Sequence, residues 1–171
     1  MPIQSAEDLF LAGLSHLHHS EQRLLQAVEE MSQVAQDEEI KEVLDVRAYL
    51  TRQEISNIEK CFQFLGKQPV PPSSTFADVW VENVRRELSE IQSPTLKGLF
   101  ILNKVRQIQD LHMGEYKALA TMSGLMGNIP VTTLLEHNLR DKVEFVERTR
   151  DLVLEVAKKA IGARVIQRVA A

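Results

Sequence analysis

The chain is poor in cysteine, glycine and aromatic residues, and these shortages exclude several classes of protein. Only one of its 171 residues is a cysteine, Cys61, so an intramolecular disulfide framework and a thiolate zinc site are excluded. The seven glycines form no glycine-rich phosphate-binding loop. Aromatic residues make up 5% of the chain, whereas Leu, Val, Glu, Gln and Lys are abundant. This composition is typical of an all-helical protein.

Neither sign of charge dominates, and no long apolar run is present. The 20 Lys and Arg residues stand against 24 Asp and Glu residues, so there is no basic field to attract nucleic acid. No apolar segment approaches the roughly 20 residues that a membrane-spanning helix needs. The start of the chain, MPIQSAEDLF, lacks the basic and apolar regions of a signal peptide. We therefore expect a single domain over residues 1–171, located in the cytoplasm, with no nucleic-acid or membrane partner.

Helical periodicity and helix-start signals divide the chain into four long helices and a shorter one. A capping pattern opens the first helix, and a Ser-Pro pair opens the third long helix. The expected bounds are Ser5 through Met31, Asp37 to Gly66, Phe76 to Ile91, Ser93 to Gly127 and Val131 to Ala160, with a short amphipathic tail from Arg164 to Val169.

The lengths of the connections predict the topology. Short connections make the first two long helices antiparallel neighbours, and likewise the last two, whereas residues 66–93 must carry the chain across the bundle. Two hairpins joined by one long crossover form the ferritin-like topology. We therefore predict an all-α, ferritin-like antiparallel four-helix bundle with a long helical crossover between the second and third main helices.

One metal-competent side chain interrupts the apolar stripe of each long helix, namely Glu21, Glu54, His112 and Asp141. A charge buried in a bundle is costly unless it is paired, protonated or bound to metal. Carboxylates and imidazoles from facing helices are the ligands of metal sites in such bundles. These four residues predict an iron or manganese site between the helices, or the remnant of a site that binds nothing. We predict no catalytic residue.

Each of these residues also has a structural interpretation. Glu21 could pair with a base such as Arg47, and His112 could be a hydrogen-bonded core residue. The other two carboxylates could lie at the edge of a stripe or at the surface. If no metal is bound, we expect a hydrogen-bond network among Glu21, Gln109 and His112.

Other polar motifs give weaker signals. No Glu-x-x-His pair of the usual di-iron ligand set occurs, and no Ser/His/Asp arrangement is evident. His16, His18 and His19 span more than one helix face, so we expect exposed imidazoles. Cys61 follows an apolar stripe and should be a small buried hydrophobe. The crossover helix around Trp80 could instead dock a protein partner.

A family resemblance covers most of the chain, and two segments carry its more specific part. Residues 17–27, LHHSEQRLLQA, resemble the Tyr-Asp-Ala-Glu-x-Gln-Leu-Leu-x-Ala segment in the first helix of YciE/YciF-type ferritin-like proteins, and residues 58–69 resemble the end of their second helix. The resemblance implies a commonly dimeric ferritin-like bundle with a di-metal centre and a stress-linked role. It also implies that Glu21 is the first-helix metal ligand.

At the other ligand positions the chain departs from this family's pattern. Leu50 stands where the resemblance places a second-helix glutamate, and the paired glutamates of the fourth helix become Asp141-Lys142. Leucine cannot bind a metal, and an inward lysine would repel one. We therefore predict a homodimeric, stress-associated scaffold or binding protein with a degenerate di-metal site. The alternative is an atypical mono- or di-metal redox or ferroxidase-like protein.

Overall fold

Helices account for all regular structure in the described part of the chain. The computed structural model describes residues 3–70, 72 and 75–162. Its helices are α1 (Ala6–Val34), α2 (Glu38–Leu65), α3 (Phe76–Glu90), α4 (Pro94–Leu125), α5 (Ile129–Arg148) and α6 (Arg150–Ile161). The predicted fold class is confirmed. The amphipathic tail expected at 164–169 lies outside the described residues.

Local capping interactions set the starts of α1 to α4 and the end of α2. The side chains of Ser5 and Asp37 accept hydrogen bonds from first-turn backbone N–H groups of α1 and α2. Gly66 ends α2 with a φ of 63°, a left-handed conformation that glycine adopts without steric cost. Thr75 and Asp78 form a reciprocal capping box at the start of α3. These signals are local in sequence, so the predicted starts agree with the structure.

The predicted fourth long helix, Val131 to Ala160, is two helices that meet at Thr149. The Thr149 hydroxyl donates to the carbonyl oxygen of Phe145 at 2.9 Å and is 3.4 Å from that of Val146. A threonine hydroxyl bonded to the preceding turn competes with the backbone ladder and bends a helix. The expectation of one continuous helix is therefore wrong at this residue.

Helices α1, α2, α4 and α5 form the bundle, α6 extends it by packing against α4, and the crossover helix α3 lies on one side. α1 contacts α2 and α4, and α5 contacts the same two helices. α1 and α2 are antiparallel, since His18 lies near Glu59 while Ser32 lies near Asp45. α3 packs mainly against α1, with Trp80 only 6% exposed in the core. Trp80 is therefore part of the core, and the docking of a protein partner on the crossover helix stays a prediction.

The apolar interior consists of two separate clusters with a polar layer between them. One cluster contains Leu24, Val28, Met31, Leu44, Ile101, Leu102 and Phe145, and the other contains Phe10, Leu14, Leu17, Ile58, Phe62, Leu119 and Leu135. None of the described helices combines the length and apolar character needed to cross a bilayer.

Candidate functional site

The polar layer brings together side chains from α1, α2, α4 and α5. Three of the four predicted ligands, Glu21, Glu54 and His112, lie in this layer. The residues of the layer that are 0% exposed are Glu21, Arg47, Thr51, Glu54, Gln109, His112, Tyr116, Asn138 and Lys142. A fully buried group of this polarity must satisfy its charges and hydrogen bonds internally.

The fourth predicted ligand, Asp141, is not in the layer. Its side chain is 23% exposed, and its Oδ2 lies 3.6 Å from Nε2 of His137, one turn earlier on α5. Successive helical residues point about 100° apart, so Asp141 and Lys142 cannot both face the interior centre. The structure directs Lys142 inward.

The ammonium group of Lys142 lies at the centre of the layer. Its Nζ is 2.8 Å from Glu21 Oε1 and 2.9 Å from Glu54 Oε2. It also donates to Gln109 Oε1 at 3.2 Å. The ammonium donates hydrogen bonds to Glu54 and Gln109, whereas its contact with Glu21 is an ion pair. The ring of Tyr116 adds a cation–π contact, with its centroid 5.4 Å from Nζ.

Arg47 provides a second buried cation on the other side of Glu54. Its Nη2 lies 2.5 Å from Glu54 Oε1, and its Nε donates to Thr51 Oγ1 at 3.0 Å. The guanidinium lies 5.1 Å from the ring centroid of Phe145, and its Nη1 donates to Gln109 Oε1 at 3.3 Å. Each oxygen of the Glu54 carboxylate therefore faces one cation.

Opposite charges in the layer balance. Glu21 and Glu54 supply two formal negative charges, and Arg47 and Lys142 supply two positive charges. Burial alone would raise the pKa of Glu21, but attraction to Lys142, His112 and Arg47 outweighs it and lowers the pKa below its usual range. Burial raises the pKa of Glu54, and the Glu21 charge adds to this effect against the two cations. Burial, helped by both carboxylates, raises the pKa of Tyr116. Tyr116 therefore stays protonated.

His112 links the layer to α1 through a chain of polar atoms. Its Nδ1 is 3.1 Å from Glu21 Oε1, and its Nε2 is 2.6 Å from Ser20 Oγ. Hydroxyl, imidazole and carboxylate follow one another in the order of a nucleophilic triad. Ser20 lies in the middle of α1 and is 8% exposed, so the neighbouring backbone N–H groups belong to the helix ladder. Backbone N–H groups of a helix ladder cannot form an oxyanion hole, so the contacts of His112 with Ser20 and Glu21 serve to join α4 to α1.

The predicted network of Glu21, Gln109 and His112 has a different connectivity. His112 contacts Glu21, but Gln109 bonds through its Oε1 to the two cations. Asn138 ties the layer together, since its Nδ2 donates to the Glu54 carbonyl oxygen at 3.0 Å and to the Tyr116 hydroxyl at 3.2 Å. Gln109 Nε2 and both carboxylate oxygens of Glu21 make no hydrogen bond with described residues, and Glu21 Oε1 is held by its ion-pair contacts alone.

This donor set does not fit a resident metal pair. A metal ion bridging Glu21 and Glu54 would occupy the space of the Lys142 ammonium or lie beside it, where like charges repel. Within residues 3–70, 72 and 75–162, no three His, Cys, Asp or Glu side chains converge in a way that could hold a metal ion. In this arrangement the side chains of the layer form ion pairs and hydrogen bonds with one another.

The remaining sequence expectations have mixed outcomes. Cys61 is buried, as predicted, and burial raises the pKa of its thiol to about 12. The expectation of exposed imidazoles is wrong for His18, which is 9% exposed and packs edge-on against Phe62. His19 is half-buried, and its Nε2 lies 3.0 Å from Asp78 Oδ1. His18 and His19 therefore anchor α2 and α3 to α1.

Comparison with known proteins finds one matching family and two solved structures with a similar fold. Residues 5–162 match the family described as "Domain of unknown function (DUF892)". The stress protein YciF of E. coli superposes with a TM-score of 0.85 at 16% identity, covering 92% of this chain and 99% of YciF. YcfI of Rhodopseudomonas palustris, described as "a putative structural protein", superposes with a TM-score of 0.82 at 21% identity, covering 86% and 94% of the two chains. No curated protein sequence matches the chain.

Proposed function

The chain belongs to the DUF892 family, of the YciE/YciF type that its sequence resembles, and from this premise we propose a non-catalytic, stress-associated role as a scaffold or binding protein. In this proposal, charged side chains of the protein occupy the position that a di-metal centre would have in a ferritin-like bundle. The polar layer then serves to fix the helices relative to one another.

The position of the Lys142 ammonium carries this proposal. It contacts both interior carboxylates, at 2.8 and 2.9 Å, where a bridging cation would have to lie. A di-iron oxidase needs open positions on its metals for oxygen or substrate. A lysine side chain provides a fixed charge with no open coordination position.

A buried ion-pair layer also has a structural use. Replacing such a layer with apolar residues often leaves stability unchanged or improves it, whereas breaking one pair is strongly destabilising. Sliding or rotating one helix of the bundle would separate Lys142 from Glu21 and Glu54 and leave charges unpaired in the core. The layer thus favours a single helix register, which suits a protein that presents a fixed surface.

Elemental analysis tests the proposal directly. Protein purified without chelator should carry well under one iron, manganese or zinc per chain, and EDTA should leave its thermal midpoint unchanged. Near-stoichiometric metal that is lost in Glu21→Ala, but kept in the surface variant Glu29→Ala, would overturn it. Glu29 is a matched control because it also lies on α1 and pairs with a base, Arg52, while remaining 44% exposed.

A metal-dependent redox protein is the competing candidate, and one observation favours it. Glu21 Oε2 is buried without a hydrogen-bond partner among the described residues, as a displaced metal ligand would be. A site made of Glu21, Glu54, His112 and Asp141 would require Lys142 to leave the layer and Asp141 to turn into it. The elemental analysis above decides between the two candidates.

We propose two further properties at the level of the whole protein. The homodimer that the family resemblance implies stays a prediction, and light scattering on the purified chain checks it. Cytoplasmic location is supported by the single cysteine, whose thiol is free and buried. A fluorescent fusion protein observed in the native cell would test this location.

A further inference from the structure

We propose that the Lys142 side chain alone keeps divalent cations out of the polar layer, and that the three oxygens around its ammonium form a latent site for a hard cation such as Mn²⁺. This inference rests on the proposed function, because it explains how a bundle of this type can exist with no metal in its interior. It attributes the exclusion of divalent cations from the polar layer to the single residue Lys142.

The geometry around Nζ supports an oxygen cage. Glu21 Oε1, Glu54 Oε2 and Gln109 Oε1 lie 2.8, 2.9 and 3.2 Å from the nitrogen and come from three different helices. Two carboxylates and a neutral carbonyl oxygen are ligands that Mg²⁺, Ca²⁺ and Mn²⁺ prefer. Oxygens bind such ions at about 2.0–2.6 Å, so the three oxygens would each have to move inward by about 0.2 to 1.2 Å, depending on the ion.

Two further groups increase the capacity of the cage. The second carboxylate oxygen of Glu21 is buried with no hydrogen-bond partner among the described residues, so it has no hydrogen bond to lose if it becomes a ligand. His112 Nδ1 lies 3.1 Å from Glu21 Oε1 and can hold that carboxylate in place. Water would complete the coordination in the space that the lysine side chain leaves.

The charge balance explains why the present lysine excludes an ion. With Lys142 in place the layer is neutral, and a divalent ion would bring it to a charge of +2. Without the lysine the layer carries one net negative charge, and the same ion brings it only to +1. Both electrostatics and available volume therefore favour binding when Lys142 is removed.

The test compares three variants with the wild type in Mn²⁺ titrations followed by the electron paramagnetic resonance of the free ion. Lys142→Ala removes both charge and volume and should bind one Mn²⁺ per chain at least about tenfold more tightly than the wild type. Lys142→Met removes the charge but keeps most of the volume, and should gain little. The double variant Lys142→Ala/Glu54→Gln should lose most of the gain.

A surface lysine provides the matched control. Lys104→Ala removes an ammonium that lies 2.8 Å from Glu87 and is 24% exposed, and its Mn²⁺ affinity should equal that of the wild type. A folded Lys142→Ala protein that binds no better than the wild type overturns this inference and leaves the proposed function standing. Tight, Glu21-dependent binding by the wild type overturns the proposed function itself.

Removal of Lys142 leaves unpaired carboxylates, so the alanine variant can unfold. In that case helical circular dichroism is recorded during the Mn²⁺ titration. A cation that occupies the cage stabilises the folded chain by mass action and restores the helical signal. Failure of millimolar Mn²⁺ to restore helix would count against the latent site.

Discussion

Replacement of Lys142 by methionine isolates the energetic role of the buried ammonium. Methionine keeps an unbranched side chain of similar length, so most apolar contacts of the lysine stem survive. The change leaves Glu21 and Glu54 facing a single cation, Arg47, which contacts only Glu54. Glu21 then keeps only its contact with His112, whose Nδ1 lies 3.1 Å from Glu21 Oε1.

The expected loss is large because the abandoned carboxylate is fully buried. Breaking a buried ion pair by removing one partner costs about 3–5 kcal/mol of unfolding free energy. For a chain of this length, such a loss lowers the thermal midpoint by about 10 °C. Urea unfolding followed by circular dichroism at 222 nm measures the change, and an unchanged denaturant slope would show that the unfolded state is not altered.

A double-mutant cycle separates this pairing from other effects of the substitution. Glu21→Gln removes one negative charge, and the double variant Glu21→Gln/Lys142→Met restores a neutral layer of Glu54 and Arg47. The double variant should be more stable than the sum of the single losses predicts, by about 1–3 kcal/mol. Additive losses would show that the two groups do not interact in solution.

Lys104→Met calibrates the cycle against a lysine at the surface. The Lys104 ammonium is partly solvated and pairs with Glu87, so its loss should cost less than about 1 kcal/mol. If Lys142→Met costs no more than this control, the account of the polar layer as a tightly paired interior is refuted.

Three other predictions concern residues outside the layer. Burial raises the pKa of Cys61 to about 12, so its thiol should react with Ellman's reagent only after denaturation, and rapid native reaction would contradict its placement. The pKa of Asp78 is lowered to about 2, chiefly by its hydrogen bond from Thr75. The ionised Asp78 carboxylate therefore stabilises the folded chain fully at a pH above its unfolded-state pKa of 3.8, and this stabilisation is lost as the pH falls through about 2. Asp78→Asn should cost about 1 kcal/mol at neutral pH and progressively less in acid, and a cost independent of pH would argue against the charged capping box. Gly114→Ala should stabilise α4 by about 0.5–1 kcal/mol in urea unfolding, since an added Cβ meets no atom within 4 Å, and a destabilised variant would show a contact absent from the structure.

The fold was predictable from the sequence because its determinants are local. Ser5, Asp37 and Ser93 each cap a helix within the next four residues, and the long connection after Gly66 restricts the topology to a crossover. The break at Thr149 was not predictable in the same way. A threonine can lie within a straight helix or at a bend, depending on which backbone carbonyl its hydroxyl reaches. The tertiary structure decides which carbonyl that is.

The composition of the polar layer was predictable only in part, because two helical registers of α5 fit the sequence. The series Leu134, Asn138, Asp141 and Phe145 places the aspartate inside, whereas Leu135, Asn138, Lys142 and Phe145 places the lysine inside. Both series have helical spacing, and both share Asn138 and Phe145, so periodicity alone cannot choose between them.

Charge complementarity across the helices would have resolved this choice. On α2 the spacing of Arg47, Thr51 and Glu54 places one base and one acid on the same interior stripe, and α1 adds Glu21. An inward Asp141 would bring a third carboxylate to a single guanidinium, leaving two negative charges uncompensated in the core. An inward Lys142 makes the layer neutral, and neutrality is the condition under which charges of this number can be buried without metal. The register of a helix with a buried charge is therefore set by its partners, which requires all four helices to be considered together.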